Sequence, residues 1–185
     1  MDEYVDILDE NGNYTGKVLL KSEAHAKGLF HPTIHVWLYT TDGKVLLQKR
    51  SACKDTFPGY WDVSVAGHIG AGEASLSSAL REVEEELGLQ LSEKALEKTG
   101  ICKSVTKHRE DLIDCEFHHI YIGELNVPLS ELKLQETEVD DVKLMDIDEF
   151  LSIVKDPPPS SLYVISCPDY YKSVFGAINK KLKQD

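Results

Sequence analysis

Between residues 67 and 89 the chain reads Gly67-His68-Ile69-Gly70-Ala71-Gly72-Glu73, then Ala74-Ser75-Leu76-Ser77-Ser78-Ala79-Leu80, then Arg81-Glu82-Val83-Glu84-Glu85-Glu86-Leu87-Gly88-Leu89. A glycine-rich turn runs into a helix predicted over Ala74 to Leu87, with Gly88 placed to stop it in the left-handed conformation that only glycine adopts cheaply. At about 100° per residue, Leu76, Ala79, Leu80, Val83 and Leu87 form one apolar stripe. Measured from Val83, Glu82, Glu86 and Glu85 fall at roughly −100°, −60° and −160°, whereas Glu84 falls near +100°. Three carboxylates therefore crowd one flank. Unshielded, each like-charged neighbour costs a few tenths of a kcal/mol, and hard oxygen ligands grouped in this way suit Mg²⁺ or Mn²⁺. An acidic helix flank is most often a solvated face. Here the glycines before it permit close backbone approach, and Glu73 and Arg81 are spaced for an ion pair that braces the loop.

Outward from this helix, short apolar strings alternate with turn signals. Glu3–Leu8 and Tyr14–Leu20 flank Asn11-Gly12-Asn13 and read as a hairpin; Thr33–Thr40 and Lys44–Arg50 flank Asp42-Gly43 as a second. Ser22–Lys27 reads as a short helix and Tyr60–Ala66 as a strand. Strands are predicted near Leu96–Thr106, Leu112–Glu124 and Asp140–Met145, and helices over Asp146–Val154 and Pro168–Leu182. The elements interleave without regular βαβ alternation, which predicts an α+β fold with a mixed β-sheet. One domain over residues 1–185 is expected, with an N-terminal hairpin (1–20) and a C-terminal helical segment (160–185).

The charge balance narrows the partners. Lys and Arg number 20 against 32 Asp and Glu, a net charge of −12 over 185 residues. That excess disfavours nucleic acid polymers and anionic membranes, but not a small polyanion presented with a divalent cation. No apolar run approaches the ~20 residues of a membrane span. Met1-Asp2-Glu3-Tyr4 lacks a secretory pattern, and Cys53, Cys102, Cys115 and Cys167 lack framework spacing, so a cytoplasmic location with reduced thiols is expected. The Pro157–Pro159 break and the closing helix could cap the domain or meet a second copy in a homodimer.

The segment Gly67–Leu89 resembles the Nudix box, G-x5-E-x7-R-E-U-x-E-E-x-G-U with U aliphatic. Every specified position is met, by Gly67, Glu73, Arg81, Glu82, Val83, Glu85, Glu86, Gly88 and Leu89. Leu46–Ser51 and Lys54–Trp61 are similar to the Nudix branch related to isopentenyl-diphosphate isomerase. The resemblance implies the Nudix α/β/α sandwich and metal-dependent hydrolysis of a diphosphate linked to another moiety. Nucleoside-diphosphate derivatives are the first expectation, and isoprenoid diphosphates are the alternative. The isomerases carry a catalytic cysteine directly before a Gly-His or Ser-His pair; here that position is Ala66, which cannot transfer a proton. Cys53 and Cys115 lie elsewhere. A complete box also argues against a binding module that keeps only the fold.

The resemblance assigns metal to Glu82, Glu85, Glu86 and the carbonyl of Gly67, with Glu73 and Arg81 as loop support. Mg²⁺ is the expected cofactor, Mn²⁺ the substitute. The likeness to the isomerase branch, which holds a metal with histidines and carboxylates, implies a candidate second metal site, for Zn²⁺, Mn²⁺ or Mg²⁺, at His25, His31, His68, Asp114 and Glu116. Asp114 and Glu116 share a strand face because they are two residues apart. Glu116, Glu136 and Glu138 are candidate general bases, Glu116 foremost. Lys49, Arg50 and Lys54 are candidate phosphate contacts, Arg50 foremost. Phe57 and Trp61 are candidate stacking surfaces, and His108, His118 and His119 are left without assigned partners.

Overall fold

In the computed structural model, residues 2–160 and 162–183 are described; Met1, Ser161, Gln184 and Asp185, at the edges of the expected hairpin and C-terminal segment, lie outside them. The strands are β1 (Tyr4–Leu8), β2 (Tyr14–Leu20), β3 (His31–Tyr39), β4 (Lys44–Arg50), β5 (Trp61–Asp62), β6 (Val65–His68), β7 (Leu96–Arg109), β8 (Leu112–Glu124) and β9 (Val139–Asp146). The helices are α1 (Lys21–Lys27), α2 (Ser75–Leu87), α3 (Ile147–Lys155) and α4 (Pro168–Leu182). The single strand expected over Tyr60–Ala66 is broken into β5 and β6. Ser64 at the break turns inward, accepting from Leu38 N at 2.8 Å and donating to Leu46 O at 2.6 Å.

The main sheet runs β5-β4-β3-β8-β7, with β6 also paired to β3 and β9 to β4. β3 is buried almost throughout because it is covered on both faces. It pairs in parallel with β8, from His31 opposite Glu116 to Tyr39 opposite Glu124, and antiparallel with β6, Thr33 opposite His68 and His35 opposite Ala66. Strand alternation then sorts the chemistry. Ile34, Val36, Leu38, Leu46 and Val65 pack on one face with Ala79, Val83 and Leu87 of α2. Trp37, Val45, Leu47 and Ile120 pack on the other with Phe150 of α3 and Tyr170, Tyr171, Val174, Phe175 and Ile178 of α4. The result is an α/β/α sandwich with a mixed sheet.

Helix α2 begins at Ser75, one residue later than the pattern predicts, and ends at Gly88, whose φ of 68° is the left-handed cap conformation. Its buried residues include Ala79, Val83 and Leu87 of the apolar stripe and two carboxylates, Glu82 and Glu86, while Leu76 and Leu80 are half-buried. The N-terminal hairpin forms its own two-stranded sheet and leans on the glycine loop ahead of α2. Ala71 N donates to Tyr4 O at 2.9 Å and Gly72 N to Asp6 Oδ2 at 2.7 Å. No helix among the described residues is long and apolar enough to cross a membrane.

Candidate active site

Helix α2 turns its acidic flank inward unevenly. Glu82 and Glu86 are only 9% and 4% exposed, while the Glu85 side chain is half-exposed. Burial drives the Glu82 carboxyl up to about 7, even with Arg81 pulling it down. Burial, reinforced by repulsion from Glu82, drives Glu86 up to about 8. Gln48 of β4 donates to Glu86 Oε2 at 3.1 Å. A Cβ at position 67 would sit 2.3 Å from Cδ of Glu82, so any other residue there displaces that carboxylate. The backbone of β6 thus lies directly against the carboxylate.

Arg81 ties the loop to the helix. It donates to Glu73 at 3.2 and 3.3 Å, to Glu82 Oε1 at 2.7 Å, to Glu85 Oε2 at 3.3 Å and to the His68 carbonyl at 3.2 Å. Glu73 in turn accepts from Gly70 N at 3.3 Å. One guanidinium therefore sets the position of the glycine loop and of a buried carboxylate together.

On the opposite face of β6 lies a second cluster. His25 Nε2 is 3.2 Å from both His31 Nε2 and His68 Nε2, and Glu116 Oε1 lies 3.5 Å from His31 and 3.7 Å from His68. One ligand atom from each of these four residues falls within 4.8 Å of all the others. His31 Nδ1 meets the Leu29 carbonyl at 2.9 Å, and since a carbonyl only accepts, Nδ1 carries a proton and Nε2 is the nitrogen that faces the cluster. Burial opposes it, but the hydrogen bond and charge of Glu116 hold His31 above the usual histidine value. Burial likewise opposes it, but His31, His118 and His68 hold the Glu116 carboxyl well below the usual range.

Asp114 does not join this set. It stands behind it, 3.5 Å from His25 Nδ1 and 2.7 Å from His108 Nε2. Asp114 and Glu116 share a strand face as expected, but two residues along β8 carry Asp114 past the convergence point. His108 thereby gains a partner that the sequence did not suggest. His118 is held by Thr33 Oγ1 at 2.7 Å, and His119 meets Lys98 Nζ at 2.9 Å.

A cleft of about 640 Å³ takes in both clusters: Gly67, Glu82, Glu85 and Glu86 on one side of β6, and His25, His68, Asp114 and Glu116 on the other. Of the candidate phosphate contacts, Lys54 lines it and is paired with Glu138. Arg50 also lines it, but its guanidinium is occupied by Asp62 at 3.1 Å and by Thr56 Oγ1 and O, each at 3.0 Å. Those bonds fold the 51–60 loop. Lys49 is absent from the lining. Among the candidate bases, Glu138 lines the cleft near Glu86 and Glu136 is an exposed residue outside the lining. Phe57 lines the cleft, whereas Trp61 lies outside it with its ring under Lys143 Nζ at 4.1 Å.

Gln48, His35 and Tyr170 were not found by sequence reasoning. The period-two spacing of His31, Thr33 and His35 carried a signal for His35. Gln48 and Tyr170 depend on contacts 38 and 135 residues distant in the chain, which no local pattern encodes.

The NUDIX domain family model matches residues 29–163. Nudix hydrolase 3 of Arabidopsis thaliana is 37% identical over 163 residues, 86% of this chain but 21% of that protein. An isopentenyl-diphosphate Delta-isomerase of Serratia proteamaculans is 32% identical over 123 residues, 66% of each chain. The chain thus spans about a fifth of the plant protein and just under two thirds of the bacterial one. A crystal structure from Deinococcus radiodurans shares the fold, with a TM-score of 0.70 at 16% identity, covering 92% of this chain and 98% of that one. With a complete box running from the glycine loop through α2 and a family match over most of its length, the chain belongs to the Nudix family, in the branch related to isopentenyl-diphosphate isomerase.

Proposed function

We propose that the chain hydrolyses the diphosphate linkage of a nucleoside-diphosphate derivative or related organic diphosphate by attack of water at phosphorus. The observation that carries this reading is the pair of buried carboxylates, Glu82 and Glu86, with carboxyl pKa values near 7 and 8, beside a β-strand glycine whose missing Cβ makes room for one of them. Two carboxylates so desolvated are matched to a divalent cation, and their all-oxygen donor set fits Mg²⁺ or Mn²⁺. Glu82, Glu85, Glu86 and the Gly67 carbonyl would hold it. A bound divalent ion supplies charge neutralisation of the diphosphate and acidifies water.

The chain's own residues have separate tasks. Arg81 and Glu73 hold Glu82 in place, and Gln48 orients Glu86. Lys54 brings positive charge into the cleft for the substrate phosphates. Glu138, paired with Lys54 on the same wall, is the base this reading favours: it takes the proton of water as the P–O bond between the phosphoryl groups breaks. Glu116 is less suited, because a carboxyl held so far below its usual range is a weak base. His25, His31, His68 and Glu116 would hold a second cation. Three imidazole nitrogens and one carboxylate oxygen suit Zn²⁺ or Mn²⁺, and their 3.2 Å nitrogen separations match about 3.3 Å between ligands bound at ~2.0 Å.

A panel of nucleoside-diphosphate sugars, dinucleotides and prenyl diphosphates, assayed with Mg²⁺ and again with EDTA, tests the reading. Release of a phosphomonoester, abolished by EDTA, is expected; no turnover of any panel member sinks it. With isopentenyl diphosphate, no proton exchange at carbon is expected, since Ala66 has no group to move a proton. Gly67→Ala is expected to displace Glu82 and weaken Mn²⁺ binding by about 10–100-fold, read by calorimetric titration. Unchanged affinity would remove Glu82 from the ligand set. Metal content after chelation and reloading, compared between the wild type and His25→Ala, reports the second site: one equivalent fewer in the variant is expected.

A further inference from the structure

Beyond both clusters, the cleft is floored by a short polar chain that reaches back into the core under α4. Trp37 Nε1 and His35 Nδ1 both lie 2.8 Å from the hydroxyl of Tyr170. An indole N–H only donates, so the Tyr170 oxygen accepts from Trp37. The Tyr170 hydrogen then has one acceptor, Nδ1 of His35. The reverse assignment would leave a buried hydroxyl hydrogen without a partner, at a cost native structures avoid. His35 is therefore neutral with its proton on Nε2. Its ring is stacked on that of His118 with centroids 4.0 Å apart, which blocks rotation. Burial, followed by the charge of His118, also holds its pKa well below the usual histidine value, so the neutral form persists.

His35 lines the cleft, and no described residue offers a hydrogen-bond acceptor to Nε2. Across the strand pair it faces Ala66, which contributes only a methyl group. We propose that His35 is a specificity-determining residue, donating its Nε2–H to an oxygen on the non-phosphate moiety of the substrate, and that Tyr170 is the positioning residue that holds that donor toward the cleft. The chemistry selects against a hydrocarbon moiety, since packing a methylene chain on this N–H would strip it of water and return no acceptor. A sugar or nucleoside oxygen satisfies it. The inference rests on the reading of this cleft as the substrate site.

Nitrogen-15 imidazole spectra of the wild-type protein test the tautomer and need no catalysis. His35 is expected to show the Nε2–H pattern, its Nε2 resonance moving when ADP-ribose is added with Mg²⁺ and staying in place with dimethylallyl diphosphate. A His35 protonated at Nδ1 overturns the proposal, and so does an Nε2 resonance indifferent to ADP-ribose. In Tyr170→Phe the pattern is expected to collapse toward a mixture of tautomers, which loss of packing alone would not produce. His35→Asn keeps an acceptor for Tyr170, but its amide N–H groups stop short of the position of Nε2; it is expected to weaken ADP-ribose binding about three- to ten-fold and leave dimethylallyl diphosphate unchanged. His35→Gln, which restores an N–H at that reach, is expected to recover most of the loss. Equal weakening toward both ligands overturns the assignment. The hydrolase reading is judged separately, by turnover, so binding with the expected tautomer and no hydrolysis would retain His35 while discarding the reaction.

Discussion

Replacing Glu86 by glutamine is expected to remove turnover by a factor of ~10³ or more while making the metal-free protein more stable at alkaline pH. The rate loss follows from removing one buried carboxylate of the proposed ion site, several kcal/mol of transition-state charge stabilisation. The gain in stability follows from the carboxyl lying near 8 in the folded protein against an ordinary 4.5. Across that window the folded chain holds a proton that the unfolded chain has released, so the stability of the metal-free protein falls as pH rises from about 4.5 to about 8. The glutamine amide cannot ionise and escapes this penalty, which is on the order of a few kcal/mol. A melting temperature about 5–10 °C above wild type is expected at pH 9 without metal, and little difference at pH 4.5. Adding Mg²⁺ is expected to raise the wild type and leave the variant unmoved. Wild-type turnover in Glu86→Gln would end the assignment of α2 as the catalytic helix.

Replacing His31 by alanine attacks the second cluster and is expected to destabilise the fold. His31 has no exposed surface and stands 3.5 Å from the Glu116 carboxylate. Removing it leaves a buried anion with reduced compensation, a loss of about 3 kcal/mol by analogy with broken buried ion pairs. The pH dependence identifies the cause. Stability from Glu116, whose carboxyl is depressed, is present above its unfolded value and lost as pH falls through the folded one. Stability from His31, whose value is raised, is present below its unfolded value and lost as pH rises through the folded one. The wild type therefore gains from this pair over an intermediate span of pH. The variant is expected to lose that plateau and to unfold at higher pH on acid titration, followed by circular dichroism. It should also retain one equivalent less Zn²⁺ or Mn²⁺ after dialysis. A variant matching wild type in both respects would show that the histidines converge for packing alone.

Helix α2 and its acidic flank were legible because helical periodicity, the glycine stop and the charge grouping are all local. So were the ends of β4, β8 and α4, where turn residues and Pro168 punctuate the chain. What stayed hidden depends on which elements meet. The parallel pairing of β3 with β8 brings His31 opposite Glu116, 85 residues further along, and no nearby residue announces it. The charge of Arg50 was visible in the sequence, while its partners Thr56 and Asp62 were not. A shared strand face set Asp114 beside Glu116 but says nothing of depth along the strand, which leaves Asp114 outside the group that converges.

The four residues of β6 act as a partition with chemistry on both sides, Gly67 against the helix carboxylate and Ala66 with His68 toward the histidines. A strand changes faces with every residue, so inserting or deleting one residue here would exchange the two sets at a stroke. A side chain would be driven into Glu82, and the imidazole of His68 would be withdrawn from its cluster. Neither cluster can drift independently of this short segment. In the descent of the family, the two are expected to be kept or lost together when its length changes, although each remains free to vary by substitution.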